Sequence, residues 1–169
     1  MQAGKEQPLI LTIRLDEESQ AFFNRQRKQY FPPERNYLDA HLILFHQLPD
    51  EPSTIEILQA IQQPAFTISV SGLMNLGAGV AYRMESIELI KLHRELSQSF
   101  AAVLIPQDKQ GFRPHITIQN KTTPALAKAL FFELNVGFKP FEITAIGSDL
   151  WTYLDGPWRH EQHYPFAAI

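Results

Sequence analysis

The sequence of 169 residues contains no cysteine, which excludes a disulfide framework, a zinc–thiolate site and a thiol nucleophile. It has no apolar run near the roughly 20 residues of a membrane-spanning helix, and the N-terminal segment MQAGKEQPLI lacks the apolar stretch of a secretory signal. Charge of neither sign dominates, because 15 basic and 18 acidic side chains leave a net charge of -3. A nucleic-acid partner is therefore expected to be held locally. These absences predict a cytoplasmic protein without a membrane segment.

The composition is that of an ordinary globular protein, with 44% apolar, 11% aromatic and 20% charged residues. This apolar content is sufficient for a sizeable core and too high for a disordered chain. At roughly 150 residues per domain, the length predicts one domain over residues 1–169, made of two closely packed halves.

Hydrophobic patterning divides the chain into alternating strands and helices. Asp16 is predicted to cap a helix that runs to about Tyr30, where Pro32 and Pro33 end it. Helical spacing of apolar residues is strongest from Ser86 onwards. The predicted strands cover residues 9–15, 40–45, 66–70, 80–84, 115–119, 141–146, 150–154 and a last segment near 158–166. The predicted helices cover 17–30, 53–63, 86 to about 105, and 124 to about 134, with a polar loop at 107–113. Ser53, three residues before Glu56, has a capping-box signature, and Thr123 is the predicted cap of the last helix, with Pro124 at its first position.

The connections between several neighbouring strands are too short for crossovers, which predicts a mixed or largely antiparallel sheet and an α+β fold. Two segments, HLIL at 41–44 and HITI at 115–118, both begin with histidine and have aliphatic residues at the second and fourth positions. Each follows a proline-containing loop and precedes a predicted helix. Two related lobes that each contribute one strand to a shared cleft would produce this pattern.

His41 and His115 are the candidate catalytic residues. Side chains alternate along a strand, so His115 and Thr117 share a polar face opposite the aliphatic core face. Imidazole titrates near neutrality and acts as acid or base, and a threonine hydroxyl is suited to hold a phosphoryl oxygen. A single strand histidine is more often a partly buried residue bonded to a backbone carbonyl, but two in matching contexts favour a catalytic pair.

The segments FPPERNYLDAHLILFH (31–46) and RPHITI (113–118) resemble the two-histidine (2H) phosphoesterase superfamily, and in particular 2′-5′ RNA ligase-like proteins. The resemblance implies a bilobal α+β fold in which two pseudo-symmetric lobes form a central cleft with helices outside. It also implies metal-independent attack on a 2′,3′-cyclic phosphate or 2′-5′ phosphodiester of a nucleotide or RNA terminus. His41 and His115 would be the acid–base pair and Thr117 a phosphate ligand. No cofactor is expected, and the protein is expected to be a monomer.

One position departs from the family pattern H-x-[ST]-x, because Ile43 stands where the family has serine or threonine. Loss of one oxyanion donor costs on the order of 100- to 1000-fold in turnover. The departure is compatible with reduced activity, a different substrate, a compensating donor elsewhere, or a non-catalytic module that binds a nucleotide or RNA end. A third and weaker alternative is a protein that binds a lipid or small metabolite, which would require a closed apolar pocket.

Four further residues are candidates for substrate binding. Arg113 directly precedes the second histidine motif and is placed to neutralise phosphate, although a solvated loop arginine is equally common. Tyr82 and Arg83 are neighbours on one predicted strand, so only one of the two is expected to face the groove. Trp151 belongs to an aromatic C-terminal region in which base stacking competes with core packing.

The remaining candidate ligands do not predict a metal site. His46 is expected to face away from His41, since the two are an odd number of positions apart on a regular strand. His160 and His163 lie three positions apart in a polar tail without a paired cysteine.

Overall fold

The structure is a computed structural model that describes residues 7–168. Within this range the strands are β1 (Leu9–Leu15), β2 (Leu42–Leu48), β3 (Phe66–Asn75), β4 (Val80–Glu85), β5 (His115–Gln119), β6 (Phe141–Tyr153) and β7 (Trp158–Pro165). The α-helices are α1 (Glu17–Tyr30), α2 (Pro52–Gln59), α3 (Ile87–Ser99), α4 (Pro106–Lys109) and α5 (Pro124–Asn135), with a 3₁₀ turn at Pro33–Arg35. No helix within residues 7–168 is long and apolar enough to cross a bilayer.

The seven strands form one antiparallel sheet in the order β2-β1-β6-β3-β4-β5, and β7 pairs with β6. Strand β6 belongs to both halves of the chain, because residues 141–145 pair with β3 while residues 145–152 pair with β1. The two strands at the ends of this order, β2 and β5, also contact each other, so the sheet curls into a half-barrel. The predicted α+β class is confirmed.

The core lies between the sheet and the apolar faces of the helices. Leu89, Leu92 and Leu96 of α3 are each at most 4% exposed, which confirms the helical face predicted from their spacing. Ser86 caps this helix, and its hydroxyl accepts a hydrogen bond from the Leu89 N–H at 3.1 Å. Helix α1 contributes Phe23, which is fully buried.

The predicted boundaries of two helices are wrong. Helix α2 begins at Pro52 with Glu51 as its N-cap, so Ser53 lies inside the first turn and makes no capping hydrogen bond. Proline at the first helical position fixes the starting backbone geometry without a side-chain cap. Helix α3 ends at Ser99 with Phe100 as its C-cap, and Val103 beyond it is exposed.

Three other segments also differ from the prediction. Residues 107–109, predicted as the start of a loop, belong to the one-turn helix α4. The two predicted C-terminal strands are a single strand, β6, that passes through Gly147 without interruption. Gly147 packs against the β7 backbone at Tyr164 and Pro165, so the glycine permits a close strand approach there. Strand β2 begins at Leu42 and extends to Leu48.

Candidate active site

His41 and His115 occupy equivalent places on the two strands that end the sheet order. His115 is the first residue of β5, and His41 directly precedes β2. The Nδ1 atom of each ring lies at hydrogen-bond distance from the carbonyl oxygen two residues earlier, at 2.8 Å from Asp39 and at 2.7 Å from Arg113. Because a carbonyl only accepts, Nδ1 carries the proton and Nε2 offers a lone pair in the neutral ring. The same local geometry therefore prepares both imidazoles for proton transfer.

Both histidines line one cavity of about 320 Å³, called here the cleft. Ile43 and Thr117, each two residues after a histidine, line it as well, and Arg113 lies on its wall. The structure thus brings together four of the residues selected from the sequence as catalytic or substrate-binding, together with Ile43. The other residues that line the cleft are Leu44, His46, His93, Gln107, Asp108, Gln110, Gly111 and Phe112.

The other candidate substrate-binding residues lie outside the cleft. Tyr82 is 5% exposed, packs among phenylalanines of the core and donates its hydroxyl proton to Gln26 at 2.8 Å. Arg83 is exposed and lines a different cavity. Neither of these neighbours lines the cleft, contrary to the prediction that one of them would. Trp151 lies in a cavity that borders His41.

His46 lines the cleft, contrary to the prediction that it faces away from His41. The register explains the difference, because Thr12 pairs with Ile43 while the preceding Leu11 pairs with Phe45. This β-bulge adds one residue to β2 and shifts the alternation of its side chains. His46 therefore returns to the side on which Ile43 lies.

Asp108 of α4 holds His46 in place. Its carboxylate accepts hydrogen bonds from His46 Nδ1 at 2.9 Å, from the His46 backbone N–H at 2.9 Å and from the Gln47 backbone N–H at 3.0 Å. Burial alone would raise the pKa of Asp108, but these hydrogen bonds lower the pKa below its ordinary value. The 6% exposed carboxylate is thus an ionised anchor at the side of the cleft.

Four of the six histidines line the cleft, since His93 of α3 reaches it too. Its ring is stacked between Phe45, at 4.9 Å between centroids, and Phe112, at 3.9 Å. Burial lowers the pKa of His93, which favours a neutral ring in this aromatic stack. His93 lies four residues after the buried Leu89, so helical spacing places both residues on the same side of α3.

The pKa of His41 is lowered to about 4, chiefly by burial and also by the charges of Arg27 and His115, against the opposing hydrogen bond to Asp39. The ring of Trp158 covers it at 4.5 Å between centroids. His41 is consequently unprotonated throughout the neutral pH range.

Arg27, only 4% exposed, lies behind strand β5 and was not identified from the sequence. Its guanidinium donates to the Asn36 side-chain oxygen at 3.1 Å and to the Thr117 carbonyl at 3.4 Å, and it stacks over the Phe31 ring at 4.1 Å. Burial lowers the pKa of Arg27 to about 10, so it remains charged at neutral pH. This buried cation braces the strand that carries His115 and Thr117.

A second cavity, of about 670 Å³, borders His41 and is called here the aromatic cavity. Tyr37, Trp151 and Trp158 line it, and the Trp151 indole N–H donates to the Thr12 hydroxyl at 3.0 Å. The positive charge of Arg14 on its wall is neutralised by two hydrogen bonds to Asp149, of 2.9 and 2.8 Å.

His160 and His163 also surround Asp149. Their ring nitrogens lie 2.8 and 3.5 Å from its Oδ1 atom. His160 is hydrogen-bonded to this carboxylate, His163 Nδ1 donates to the Ser148 carbonyl at 3.2 Å, and both histidines lie outside the cleft.

The sequence matches the profile of the family described as the 2′-5′ RNA ligase superfamily over residues 15–157, and the chain belongs to this family. The resemblance drawn from the two histidine motifs is confirmed. Comparison with curated protein sequences finds no match.

Solved structures with the same fold include TT0787 of Thermus thermophilus, at a TM-score of 0.70 and 18% identity, with 95% of this chain and 98% of that chain covered. A structure described as a phosphoesterase has a TM-score of 0.68 and 21% identity, with 96% and 99% covered. E. coli LigT complexed with 3′-AMP has a TM-score of 0.63 and 19% identity, with 96% and 99% covered. These similarities extend over nearly the whole of each chain and show the fold.

Proposed function

We propose that the protein is a phosphoesterase that acts on 2′,3′-cyclic phosphates or 2′-5′ phosphodiester bonds of nucleotides or RNA ends. The observation that carries the proposal is the convergence of His41 and His115, each fixed through Nδ1 to a backbone carbonyl, on one cleft that also contains the Thr117 side chain. Membership in the 2′-5′ RNA ligase superfamily supports the reaction class. E. coli LigT has been crystallised with 3′-AMP and with phosphate, which supports the ligand class.

His41 is suited to be the general base, because its pKa of about 4 leaves Nε2 unprotonated at neutral pH. In hydrolysis of a cyclic phosphate, Nε2 takes a proton from water as the water oxygen forms a bond to phosphorus. The bond from phosphorus to the leaving ribose oxygen breaks, and protonated His115 gives that oxygen a proton. The products are a phosphomonoester and a free ribose hydroxyl, and proton exchange with solvent restores both histidines. Attack by a ribose hydroxyl instead of water would give ligation.

Two groups in the cleft are suited to stabilise the phosphate. The Thr117 hydroxyl can donate to a non-bridging oxygen, and the Arg113 guanidinium can offset negative charge as it grows in the transition state. We assign a nucleobase to the aromatic cavity, where Trp151 and Trp158 offer stacking surfaces beside His41. Tyr82 has no part in this arrangement.

The test is hydrolysis of nucleoside 2′,3′-cyclic monophosphates in the presence of a chelator. His41→Ala and His115→Ala are each expected to reduce turnover by about 100-fold or more, since general acid–base catalysis contributes about 10²–10⁴-fold. His163→Gln is the matched control, because this histidine lies outside the cleft and should leave turnover unchanged. Retention of the wild-type rate in either alanine variant would contradict the proposal.

A non-catalytic module that binds nucleotides or RNA ends is the second candidate, and the apolar Ile43 side chain in the cleft favours it. In that case neither the wild type nor Ile43→Thr would turn over cyclic nucleotides. Both would still bind a nucleoside 3′-phosphate in a calorimetric titration, and His115→Ala would not.

A further inference from the structure

A third histidine of the cleft, His46, lies outside both histidine motifs and is held by a buried carboxylate. We propose that His46 donates a hydrogen bond from Nε2 to a phosphate oxygen and takes the place of the hydroxyl missing at Ile43. This inference rests on the proposed phosphate site and names a further residue of it.

The anchoring of His46 determines which of its nitrogens is available. Nδ1 lies 2.9 Å from Asp108, and a carboxylate acts only as an acceptor, so Nδ1 carries a proton. Nε2 is then the nitrogen left for a ligand in the cleft. With its Nδ1–H directed at the carboxylate, the imidazolium form of this ring presents Nε2–H as a charge-assisted donor to a phosphate oxygen.

The two strands of the cleft supply different polar groups. On β5, the position two residues after His115 carries the hydroxyl of Thr117. On β2, the corresponding position is Ile43, which has no donor, but the bulge brings His46 to the same side. The β-bulge thus explains how a residue five positions after His41 lies on the same side of β2 as Ile43 and lines the same cleft.

The test is equilibrium binding of a nucleoside 3′-phosphate, a product-like probe, together with kcat/KM for the cyclic substrate. His46→Asn keeps a side-chain N–H near the position of Nδ1 for Asp108 but removes Nε2. It is expected to weaken binding about 10- to 100-fold, as for loss of a hydrogen bond to a charged group. His46→Gln retains an amide donor near Nε2 and is expected to recover part of that loss.

Ile43→Thr provides the decisive second variant. In the His46→Asn background, Ile43→Thr should recover at least half of the binding free energy that His46→Asn loses. In the wild-type background, Ile43→Thr should change binding little. Binding by His46→Asn equal to the wild type, or an equal effect of Ile43→Thr in both backgrounds, would overturn the inference. If the wild type neither binds the nucleotide nor turns over the cyclic substrate, the proposed function itself has failed.

A separate observation concerns a cavity of about 730 Å³ between β4 and α3, called here the basic groove. Arg83, Lys91, Arg94 and Arg113 line it, and none of them forms an ion pair within residues 7–168. The one carboxylate among its lining residues is Glu85. The apolar lining comes from Met74, Met84, Ile87, Ile90 and Pro114.

The basic groove borders the cleft at Arg113, which lines both cavities. We infer that the basic groove binds the RNA strand beyond the reacting phosphate. The cationic side chains would contact phosphates, and the apolar side chains would contact bases and riboses. Lys91 and Arg94 are three positions apart on α3 and therefore lie on the same side of the helix. The whole chain has a net charge of -3, so a nucleic acid is expected to bind only where cations cluster, and the basic groove is such a cluster.

Fluorescence anisotropy of a labelled oligouridylate hexamer with a 3′-phosphate tests this inference. The double variant Lys91→Gln/Arg94→Gln should reduce the slope of log K against log salt concentration by about 1.4, at about 0.7 per phosphate contact on a single strand. Lys128→Gln, an exposed lysine on α5, is the control and should leave the slope unchanged. Binding of uridine 3′-phosphate should be the same in all three proteins.

An unchanged salt slope, or equal weakening of the hexamer and the mononucleotide, would overturn the RNA assignment. So would binding of phosphatidylserine vesicles that the double variant loses while hexamer binding stays the same, since the groove would then serve an anionic membrane. None of these outcomes concerns turnover of cyclic mononucleotides, so a failure here is distinct from a failure of the proposed function.

Discussion

The indole of Trp158 lies against the imidazole of His41, with ring centroids 4.5 Å apart and ring planes inclined by 47°. Trp158 is the first residue of β7, so a strand from the C-terminal end of the chain covers a histidine from its first third. The contact helps to exclude water from His41, and burial is the main cause of its low pKa. An aromatic side chain outside both motifs therefore contributes to the protonation state of the candidate base.

Trp158→Ala should raise the pKa of His41 from about 4 towards the ordinary value of about 6.5, because water regains access to the ring. An NMR titration of the imidazole Cε1 proton measures this pKa directly, without reference to activity. The resonance of His115 in the same samples serves as the internal control. An unmoved His41 titration would show that other groups exclude the water.

The low pKa of His41 should also affect how the free energy of unfolding depends on pH. Above about pH 6.5, His41 is neutral in the folded and unfolded chain and contributes no pH dependence. As the pH falls from about 6.5 to about 4, the unfolded chain binds a proton that the folded protein does not, so the free energy of unfolding decreases. Urea unfolding of the wild type and His41→Gln between pH 4 and 8 isolates this effect. Their difference should be constant above pH 6.5 and move in favour of the variant below it, and a constant difference throughout would contradict the prediction.

Arg27→Lys should lower the free energy of unfolding by about 2 kcal/mol. Lysine lacks the planar fork that reaches both Asn36 and the Thr117 carbonyl, and it leaves a buried polar group without a partner. Arg25→Lys, at an exposed position on the same helix, should change stability by less than about 0.5 kcal/mol. Chemical denaturation of both variants tests the role of Arg27, and equal small effects would show that the buried guanidinium is dispensable.

Gly79→Ala should destabilise the β4–β5 pair by about 3 kcal/mol or prevent folding, as overpacking against fixed backbone does. A Cβ at this position would overlap the backbone carbonyl of Gln119 at the end of β5. Gly111→Ala is the control, because its Cβ would meet no neighbour within 4 Å. Thermal unfolding compares the two, and an unaffected Gly79→Ala protein would show that the close approach is not required.

The elements predicted most accurately are those whose ends depend on local contacts. Asp16 accepts a hydrogen bond from the Ser19 N–H at 3.1 Å, and Thr123 accepts one from the Leu126 N–H at 3.2 Å, so α1 and α5 begin where their caps predict. In α2, Pro52 and not Ser53 determines the start. The sequence offers two competing signals there, and only the fold selects between them.

The candidate site was predictable where a motif carried it and hidden where tertiary contacts place the residue. His41, His115, Thr117 and Arg113 meet in the cleft as their motifs suggest. The position of His46 depends on a bulge that strict alternation does not contain. Arg27 has the charge of a surface residue, and only its contacts with strand β5 and Phe31 reveal that it is buried.

The register of β4 determines which of Tyr82 and Arg83 points into the core. Tyr82 pairs opposite Leu73 and Ile116 and points into the core, so Arg83 is on the solvent side. On that side Arg83 lines the basic groove, and the cleft shares Arg113 with this groove but is not lined by Arg83. The sequence assigns neighbouring residues of a strand to opposite faces of the sheet. It does not predict which cavity each face borders.

Strand β6 has a consequence for how the protein is synthesised. A nascent chain that has reached the end of β5 already contains both histidines. It still lacks β6, the strand that joins the two halves of the sheet by pairing with β1 and β3. Pairing between distant segments is slow, and an unpaired strand edge invites association with other chains. Assembly of the cleft therefore follows synthesis of β6, and a fragment truncated before Phe141 is expected to carry both motifs without the complete sheet that positions them.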